Sequence, residues 1–211
     1  ILSRKFPSAL KVEINNFSFL KSFLRKERKT TNVALVGPGA GKNSKTMKFT
    51  EEILKQIKYV ILDADSLNSF QKKTNKLLRH LDKNKLITPH QAEFHRLFPE
   101  IKKNLNNKEK VLKFLKLCKS NILLKGNTTV IASSGKIIIN KHTSSELAVI
   151  GSGDVLAGII TSLVGDKKMS ISEAASAATW LHGDIAKRYG KGLISEDLVK
   201  GIPHALRRLK K

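Results

Sequence analysis

Four short apolar runs recur along this chain, and stretches with helical periodicity separate them. The runs are Asn32-Val33-Ala34-Leu35-Val36, Tyr59-Val60-Ile61-Leu62, Lys85-Leu86-Ile87-Thr88 and Ile122-Leu123-Leu124-Lys125. Their apolar residues are continuous rather than alternating, which is typical of strands that are buried on both faces. The pattern predicts an α/β fold, with a mostly parallel sheet covered by helices on both faces.

Helical spacing between and after these runs defines the other predicted elements. Helices are expected over residues 44–58, 69–82, 91–97, 107–118, 152–164 and 172–189. A Ser170/Glu173 capping box and Gly190 mark the two ends of the last one. Residues 130–132 and 136–139 flank a Ser-Ser-Gly turn and predict a hairpin. The amphipathic stretch at 17–24 is interpreted as a helix or an irregular lead-in. A length of 211 residues suits one domain with a full core.

The net charge of +23 raises the question of nucleic-acid binding. Only 8 of the 40 basic residues are arginine, and the lysines are spread along the whole chain. Aromatic residues are not interleaved with them as stacking surfaces would require. A nucleic-acid partner is therefore not expected, although the charge favours the approach of polyanionic ligands.

Cellular location is predicted from cysteine content and hydropathy. The lone Cys118 lies in an apolar helical pattern and is interpreted as a small buried hydrophobe. No apolar run reaches the 18 residues that suggest a membrane span, and no secretory leader is recognised. These features predict a cytoplasmic protein without a membrane partner.

Small or polar segments follow the predicted strands, and ligands bind beyond the carboxyl ends of strands in open parallel sheets. Five segments should therefore cluster at one edge of the sheet. They are Gly37-Pro38-Gly39-Ala40-Gly41, Asp63-Ala64-Asp65-Ser66-Leu67-Asn68, Thr88-Pro89-His90-Gln91-Ala92-Glu93, Lys125-Gly126-Asn127-Thr128-Thr129 and Gly151-Ser152-Gly153-Asp154.

The Gly151-Ser152-Gly153-Asp154 turn is the sharpest of these segments. Its glycines let backbone N–H groups approach phosphate oxygens, and the helix that follows adds free donors and partial positive charge. Asp154 has two interpretations. It is either a favourable carboxylate at a helix start or a general base beside a transferring phosphoryl group.

The other polar residues at strand ends also have two interpretations each. Lys125 either reaches a phosphate or merely ends a strand in a lysine-rich protein. His90 either binds substrate or belongs to a turn. Asp63 and Asp65 either position substrate or Mg²⁺, or cap a helix.

Three further residues stand close to these segments or in the late helix. Glu93 either acts through a magnesium-bound water or supplies charge at a helix start. His182 is interpreted as a packing residue rather than a chemical one. Trp180, on an apolar helical face, is expected in the core.

Taken in order, the five segments resemble the signature blocks of the ADP/ATP-dependent NAD(P)H-hydrate dehydratases. The fifth block extends through Val155-Leu156-Ala157-Gly158, and the late helix ending in Leu181-His182-Gly183 also resembles theirs. The resemblance runs from about residue 33 to the C-terminus. It implies a ribokinase-like three-layer sandwich and a lyase of nicotinamide nucleotide repair.

The resemblance implies that ADP or ATP phosphorylates the ring hydroxyl of hydrated NADH or NADPH, and that phosphate elimination then restores NAD(P)H. Asp154 would take the hydroxyl proton, and Mg²⁺ would accompany the phosphates. The hydrated cofactor would contact Gly41, His90 and Asp154. The residues implied in nucleotide binding are Lys125, Gly126, Asn127, Thr128, Thr129, Gly151, Ser152 and Gly153. A homo-oligomer is also expected.

Departures from the family pattern keep two alternatives open. The family has an earlier strand, Gly-Gly-Ser loop and helix, so residues 1–211 are expected to form one N-terminally shortened domain. Gln91-Ala92 stands where the family usually has Pro-Gly, and Asn127-Thr128 where it often has Ala-Gly. The alternatives are a nucleotide-binding protein without turnover and a ribokinase-like kinase of a small molecule.

Overall fold

A computed structural model describes residues 9–27, 29–133, 135–166 and 169–209. The strands are β1 (Val33–Val36), β2 (Tyr59–Leu62), β3 (Lys85–Ile87), β4 (Asn121–Leu124), β5 (Thr129–Ser133) and β6 (Lys136–Asn140). The helices are α1 (Phe17–Glu27), α2 (Ser44–Gln56), α3 (Asp65–Asn68), α4 (Thr74–Leu78), α5 (Gln91–Leu97), α6 (Asn107–Leu117), α7 (Ser152–Gly165), α8 (Ile171–Tyr189) and α9 (Ser195–Leu209). A short 3₁₀ helix spans Ser145–Leu147.

The described strands form one mixed sheet in the order β1-β2-β3-β4-β5-β6. Strands β1 to β4 are parallel, and their register places Val36 beside Leu62 and Leu62 beside Ile87. The carboxyl ends of β1, β2 and β3 are therefore level at one edge. Strands β5 and β6 add an antiparallel hairpin beside β4, which confirms the predicted hairpin.

The two faces of the sheet carry separate apolar clusters. Adjacent strand residues point to opposite faces, so Leu62 packs with Phe94 while Ile61 packs with Ile160. All four side chains are fully buried. Each such side chain contributes about 1.5–3 kcal/mol of burial free energy. Helices on both faces of a mixed sheet give three layers, and this confirms the predicted fold class.

The predicted helix over residues 69–82 is wrong in extent. Only the short α4 forms there, since α3 ends at Asn68, and Lys72 between these two helices has a positive φ of 63°. Phe70 and Leu77 are nonetheless fully buried. The apolar spacing therefore indicated which side chains are buried, but a turn presents Phe70 to the core and the short α4 presents Leu77.

Two features near the C-terminus differ from expectation. Helix α9, which the periodicity analysis did not predict, docks through buried Leu198 and Ala205 and contains Pro203. Trp180 is 38% exposed rather than in the core, and its ring stacks on His142 at a centroid distance of 5.2 Å.

The lead-in at residues 17–24 is helical and forms most of α1.

Cys118 follows α6 and is half-buried. Burial raises the pKa of its thiol, which fits the interpretation of a small unreactive side chain. Within the described ranges, no helix combines the length and apolarity needed to cross a bilayer. That residues 1–211 make a single domain stays a prediction.

Candidate active site

Backbone hydrogen bonds carry the sheet pattern past the ends of the strands. Asp63 N donates to Val36 O at 3.1 Å, and Thr88 N donates to Leu62 O at 3.0 Å. Lys125 N donates to Pro89 O at 2.9 Å. These bonds hold the polar segments side by side, so they meet at one edge as the strand pattern predicted.

An ion pair between Lys125 and the buried Asp63 lies at this edge of the sheet. Lys125 Nζ lies 2.7 Å from Asp63 Oδ1, and the Asp63 side chain is only 2% exposed. A Cβ atom on Gly153 would lie 3.4 Å from that ammonium and 3.9 Å from Asp63 Oδ2. The pair therefore lies directly beside the first turn of α7. Lys125 does more than end a strand, because it places a cation at a helix N-terminus.

The start of α7 is shaped by a left-handed glycine. Gly151 is the N-cap residue with φ of 83°, and its carbonyl accepts a hydrogen bond from Val155 N at 3.0 Å. Ser152 N donates to Val149 O at 3.2 Å. The N–H groups of Gly153 and Asp154 have no acceptor among the described residues. A helix start with two free donors beside an ammonium is suited to an anion.

Asp154 lies in an acidic environment. Partial desolvation raises the pKa of this exposed residue's carboxyl, and the charges of Asp63 and Asp65 raise it further while Lys125 opposes them. Asp65 Oδ2 accepts a hydrogen bond from Gly41 N at 2.8 Å. Of the residues implied in substrate binding, Gly41 bonds directly to Asp65, and Asp154 lies within the electrostatic influence of the same carboxylate.

His90 caps α5. Its Nδ1 accepts hydrogen bonds from Ala92 N at 3.1 Å and Glu93 N at 3.4 Å. Glu93 Oε2 accepts from His90 N at 2.9 Å, which completes a capping box. Burial lowers the pKa of His90, although the Glu93 carboxylate opposes this. A neutral ring whose Nδ1 accepts carries its proton on Nε2. Of the two interpretations of Glu93, the capping box shows the one in which its carboxylate stabilises the start of α5.

A cavity of about 690 Å³ opens beside Lys125 and the start of α7. Its volume is in the range of small-ligand and cofactor pockets. The residues implied in binding that line it are His90, Lys125, Gly126, Asn127, Thr129, Ser152 and Gly153. The remaining four lie elsewhere in the described structure: Gly41 and Asp154 near Asp65, Gly151 in the helix cap, and Thr128 with its carbonyl on Asn107. The cavity and the acidic cluster meet at Lys125 and Gly153.

A polar network that sequence reasoning missed supports the 125–129 loop. Gln91 Nε2 donates to Asn107 Oδ1 at 2.7 Å, and Asn107 Nδ2 donates to Thr128 O at 2.7 Å. Buried Lys110 donates to Gln91 Oε1 at 2.9 Å. Gln91 was visible only as a departure from the family's Pro-Gly, and no local signal marked Asn107.

The far wall of the cavity was also missed. It comes from the end of β6 and the segment that follows, including Asn140, His142 and Leu147, and from Thr179 and His182 of α8. His182 was interpreted as a packing residue, and it is indeed buried. Its Nε2 also lies 3.1 Å from Ser152 O and 3.2 Å from Ser152 Oγ. A histidine inside an otherwise apolar helical segment was the only available signal.

The layered mixed sheet is the architecture of ribokinase-like proteins. The chain is similar to a ribokinase-like superfamily protein from Enterococcus faecalis, with a TM-score of 0.83, 22% identity, and coverage of 98% of this chain and 72% of that one. It is also similar to the hydroxyethylthiazole kinase protein of Pyrococcus horikoshii, with a TM-score of 0.68, 16% identity, and coverage of 93% and 78%. At these identities the likeness shows the fold.

The family is shown by sequence. A family model described as NAD(P)H-hydrate dehydratase matches residues 8–203, and the chain belongs to that family. It is 30% identical over 202 residues to the bifunctional NAD(P)H-hydrate repair enzyme of Archaeoglobus fulgidus, covering 95% of this chain and 39% of that protein. It is 36% identical over 167 residues to the ADP-dependent (S)-NAD(P)H-hydrate dehydratase of Neisseria meningitidis, covering 76% and 56%. The chain thus spans less than two thirds of either relative.

Proposed function

We propose that this chain is an ADP- or ATP-dependent NAD(P)H-hydrate dehydratase, a hydro-lyase that restores NADH or NADPH from its hydrated form. The observation that carries the proposal is the convergence of three groups at one point: the Lys125 ammonium, the free amides at the start of α7, and the Asp154 carboxylate. The activities for which the relatives are named supply the substrate class, and one of these names specifies ADP as the nucleotide.

The adenine nucleotide occupies the cavity, with its phosphates at the start of α7. The Gly153 amide and the Lys125 ammonium neutralise the transferring phosphoryl group. The loop from Lys125 to Thr129 holds the nucleotide from the other side of the cavity. Support for this loop comes from the Gln91–Asn107 network, which contacts its backbone.

The hydrated nicotinamide binds on the acidic side, near Gly41 and Asp154, with His90 at its border. Asp154 accepts the hydroxyl proton as the hydroxyl oxygen forms its bond to phosphorus and the nucleotide leaves. The lone pair of the ring nitrogen then expels phosphate, and the neighbouring ring carbon releases a proton. A base with a raised pKa suits this step, because a carboxylate in the ordinary range accepts a proton weakly at neutral pH.

Mg²⁺ is proposed as a companion of the nucleotide phosphates. The described part of the chain holds no group of three His, Cys, Asp or Glu side chains that would bind a metal. This fits Mg²⁺, which keeps several waters and usually binds through one or two carboxylates together with substrate phosphates. Asp63 and Asp65, whose charges act on Asp154, are the carboxylates proposed to accompany the ion. When bound, the ion would neutralise phosphate charge.

The test is restoration of the near-ultraviolet absorbance of reduced nicotinamide. Purified protein is incubated with hydrated NADH, Mg²⁺ and either ADP or ATP, and ADP affinity is measured by calorimetry in parallel. We expect recovery of absorbance that depends on the nucleotide. A folded sample that binds ADP without recovery would support the alternative of a binding protein without turnover. Nucleotide consumption with a small alcohol, but not with the hydrate, would support a kinase.

A cytoplasmic location and a homo-oligomer belong to the same proposal. The lone Cys118 and a reaction on water-soluble nicotinamide nucleotides support the cytoplasmic location. Light scattering of the purified chain decides whether it forms a homo-oligomer. A monomer at micromolar concentration would contradict the expected oligomer without affecting the proposed reaction.

A further inference from the structure

We propose that His182 positions the Ser152 hydroxyl so that it donates a hydrogen bond to the transferring phosphoryl group. Ser152 thereby adds a side-chain donor to the backbone donors at the start of α7. This proposal rests on the proposed function, because it assigns two residues to the phosphoryl site of that reaction.

The geometry begins with a buried contact between two helices. His182 on α8 is 5% exposed, and Ser152 at the start of α7 is 4% exposed. The His182 Nε2 atom lies 3.1 Å from the carbonyl oxygen of Ser152 and 3.2 Å from its hydroxyl oxygen. Both side chains line the cavity beside Lys125 and Gly153.

The carbonyl contact determines the tautomer of the histidine. A carbonyl oxygen only accepts hydrogen bonds, so the Nε2 atom facing it at 3.1 Å must carry a hydrogen. Burial, with a smaller contribution from the Lys125 charge, lowers the pKa of His182 to about 4 against the opposing effect of the hydrogen bond to the Ser152 backbone. At neutral pH the ring is therefore uncharged and protonated at Nε2.

The tautomer then determines what the Ser152 hydroxyl does. Because Nε2 carries a hydrogen, it shares that hydrogen between the carbonyl and hydroxyl oxygens of Ser152 and cannot accept one. The Ser152 hydroxyl hydrogen must point elsewhere, and no acceptor among the described residues takes it. A hydroxyl that accepts one hydrogen bond is polarised and becomes a better donor. Its hydrogen is available to the anion in the cavity.

The same contact anchors the first turn of α7 to α8. The imidazole bonds to the backbone of Ser152, and Gly153 supplies the adjacent free amide. His182 therefore acts on the phosphoryl group through Ser152 and is a positioning residue. Loss of its Nε2–H group would release the Ser152 hydroxyl to rotate.

The test is a double-mutant cycle of Ser152→Ala and His182→Phe, with His182→Gln as a rescue variant. Each single change should lower kcat by about 10- to 100-fold, the range expected for a hydrogen bond to a charged group, with a smaller change in the KM for ADP. The double variant should be no slower than Ser152→Ala alone. The glutamine Nε2 atom can donate at the same place, so His182→Gln should recover most of the activity.

Ser176→Ala is the matched control. The half-buried Ser176 hydroxyl donates a hydrogen bond to the Ser172 carbonyl within α8 and does not line the cavity. It should leave kcat unchanged. Equal effects of His182→Phe with and without the Ser152 hydroxyl would overturn the proposal, as would full activity of Ser152→Ala. If His182→Phe fails to fold, Ser152→Ala and His182→Gln decide the matter alone.

Failure of the proposed function gives a different result. A wild-type chain that does not restore NADH refutes the reaction, and the cycle is then read from ADP affinity in calorimetry. The hydroxyl donor should still be visible there as an about threefold weaker ADP affinity in both single variants, smaller than the effect predicted for kcat and without additivity. Unchanged ADP affinity in both variants would refute the donor as well.

Discussion

At Asp154, several neighbouring charges decide the proton affinity of one carboxyl group. Burial, Asp63 and Asp65 favour its neutral form, and Lys125 favours the charged form. Asp63 is itself paired with Lys125 at 2.7 Å, so the ammonium is shared between a structural and a chemical role. A carboxyl pKa that neighbouring charges shift in opposite directions is common where the carboxylate accepts a proton in catalysis.

The change Asp154→Asn should abolish turnover while leaving ADP binding largely intact. Loss of the general base is expected to lower kcat by about 10²- to 10⁴-fold. The measurement is dehydration rate and calorimetric ADP affinity on the same sample. Equal loss of ADP affinity would contradict the assignment, because it would make Asp154 a nucleotide ligand.

The same variant should be more stable than the wild type at pH 7. A raised native pKa means that the folded state holds its proton more tightly than the unfolded state, and this stability is lost as pH rises through the native pKa. The advantage of the variant should shrink as pH falls toward the ordinary aspartate pKa. Melting temperatures across pH test this, with exposed Glu100→Gln as the control for charge removal. A constant difference at all pH values would contradict it.

The change Lys125→Met should affect both ADP affinity and folding. It removes the cation from the proposed phosphoryl site and leaves Asp63 buried without its partner, at a cost of about 3 kcal/mol in unfolding free energy. Urea denaturation and calorimetry measure the two effects. The double change Lys125→Met with Asp63→Asn should recover stability but not ADP affinity. Recovery of both would contradict a direct contact with phosphate.

At the scale of elements, α8 connects the site to the C-terminal helix. Asp184 on α8 accepts hydrogen bonds from Arg188 of the same helix and from Arg208 of α9, the latter at 2.7 Å. Burial raises the pKa of Asp184, but the bonds from Arg208 and Arg188 outweigh it and hold the pKa below its usual range. Helix α9 is thus attached by charge as well as by its apolar side chains.

Close packing of α8 against the cavity wall predicts opposite effects for two glycine substitutions. A Cβ atom on Gly183 would overlap the carbonyl group of His142, whereas one on Gly158 of α7 meets nothing within 4 Å. Gly183→Ala should lower the unfolding free energy by about 2 kcal/mol and weaken ADP binding, since His142 lines the cavity. Gly158→Ala should add about 0.5–1 kcal/mol. Chemical denaturation compares them, and equal effects would contradict the packing.

At the scale of the whole molecule, the net charge of +23 is a destabilising term. Like charges repel more strongly in the compact state than in the unfolded chain, and salt screens them within a Debye length of about 8 Å at physiological ionic strength. The melting temperature should therefore rise as NaCl increases from about 20 mM to about 300 mM. Sucrose at matched osmolality is the control for excluded-solute effects. A flat or falling melting temperature in salt would show that charge repulsion is unimportant.

The order and type of most elements were predictable, because strands buried on both faces and amphipathic helices leave different apolar spacings. The convergence of the four segments after β1 to β4 followed from strand direction alone. The helix predicted over 69–82 was wrong because a turn buries Phe70 and the short α4 buries Leu77 as effectively as one continuous helix could. Trp180 was misplaced because helical periodicity does not reveal that a loop histidine covers the indole ring instead of the core.

The sequence by itself determined the family, the layer order and the glycine turn that starts α7, since these depend on residues that are close together in the chain. Only the tertiary structure decided which distant side chains meet there. Asp63 and Lys125 form their ion pair across 62 positions, and His182 reaches Ser152 across 30. Hydrogen bonds and charge pairs act over a few ångströms in space, so their partners are selected by packing and leave no periodic trace in the chain.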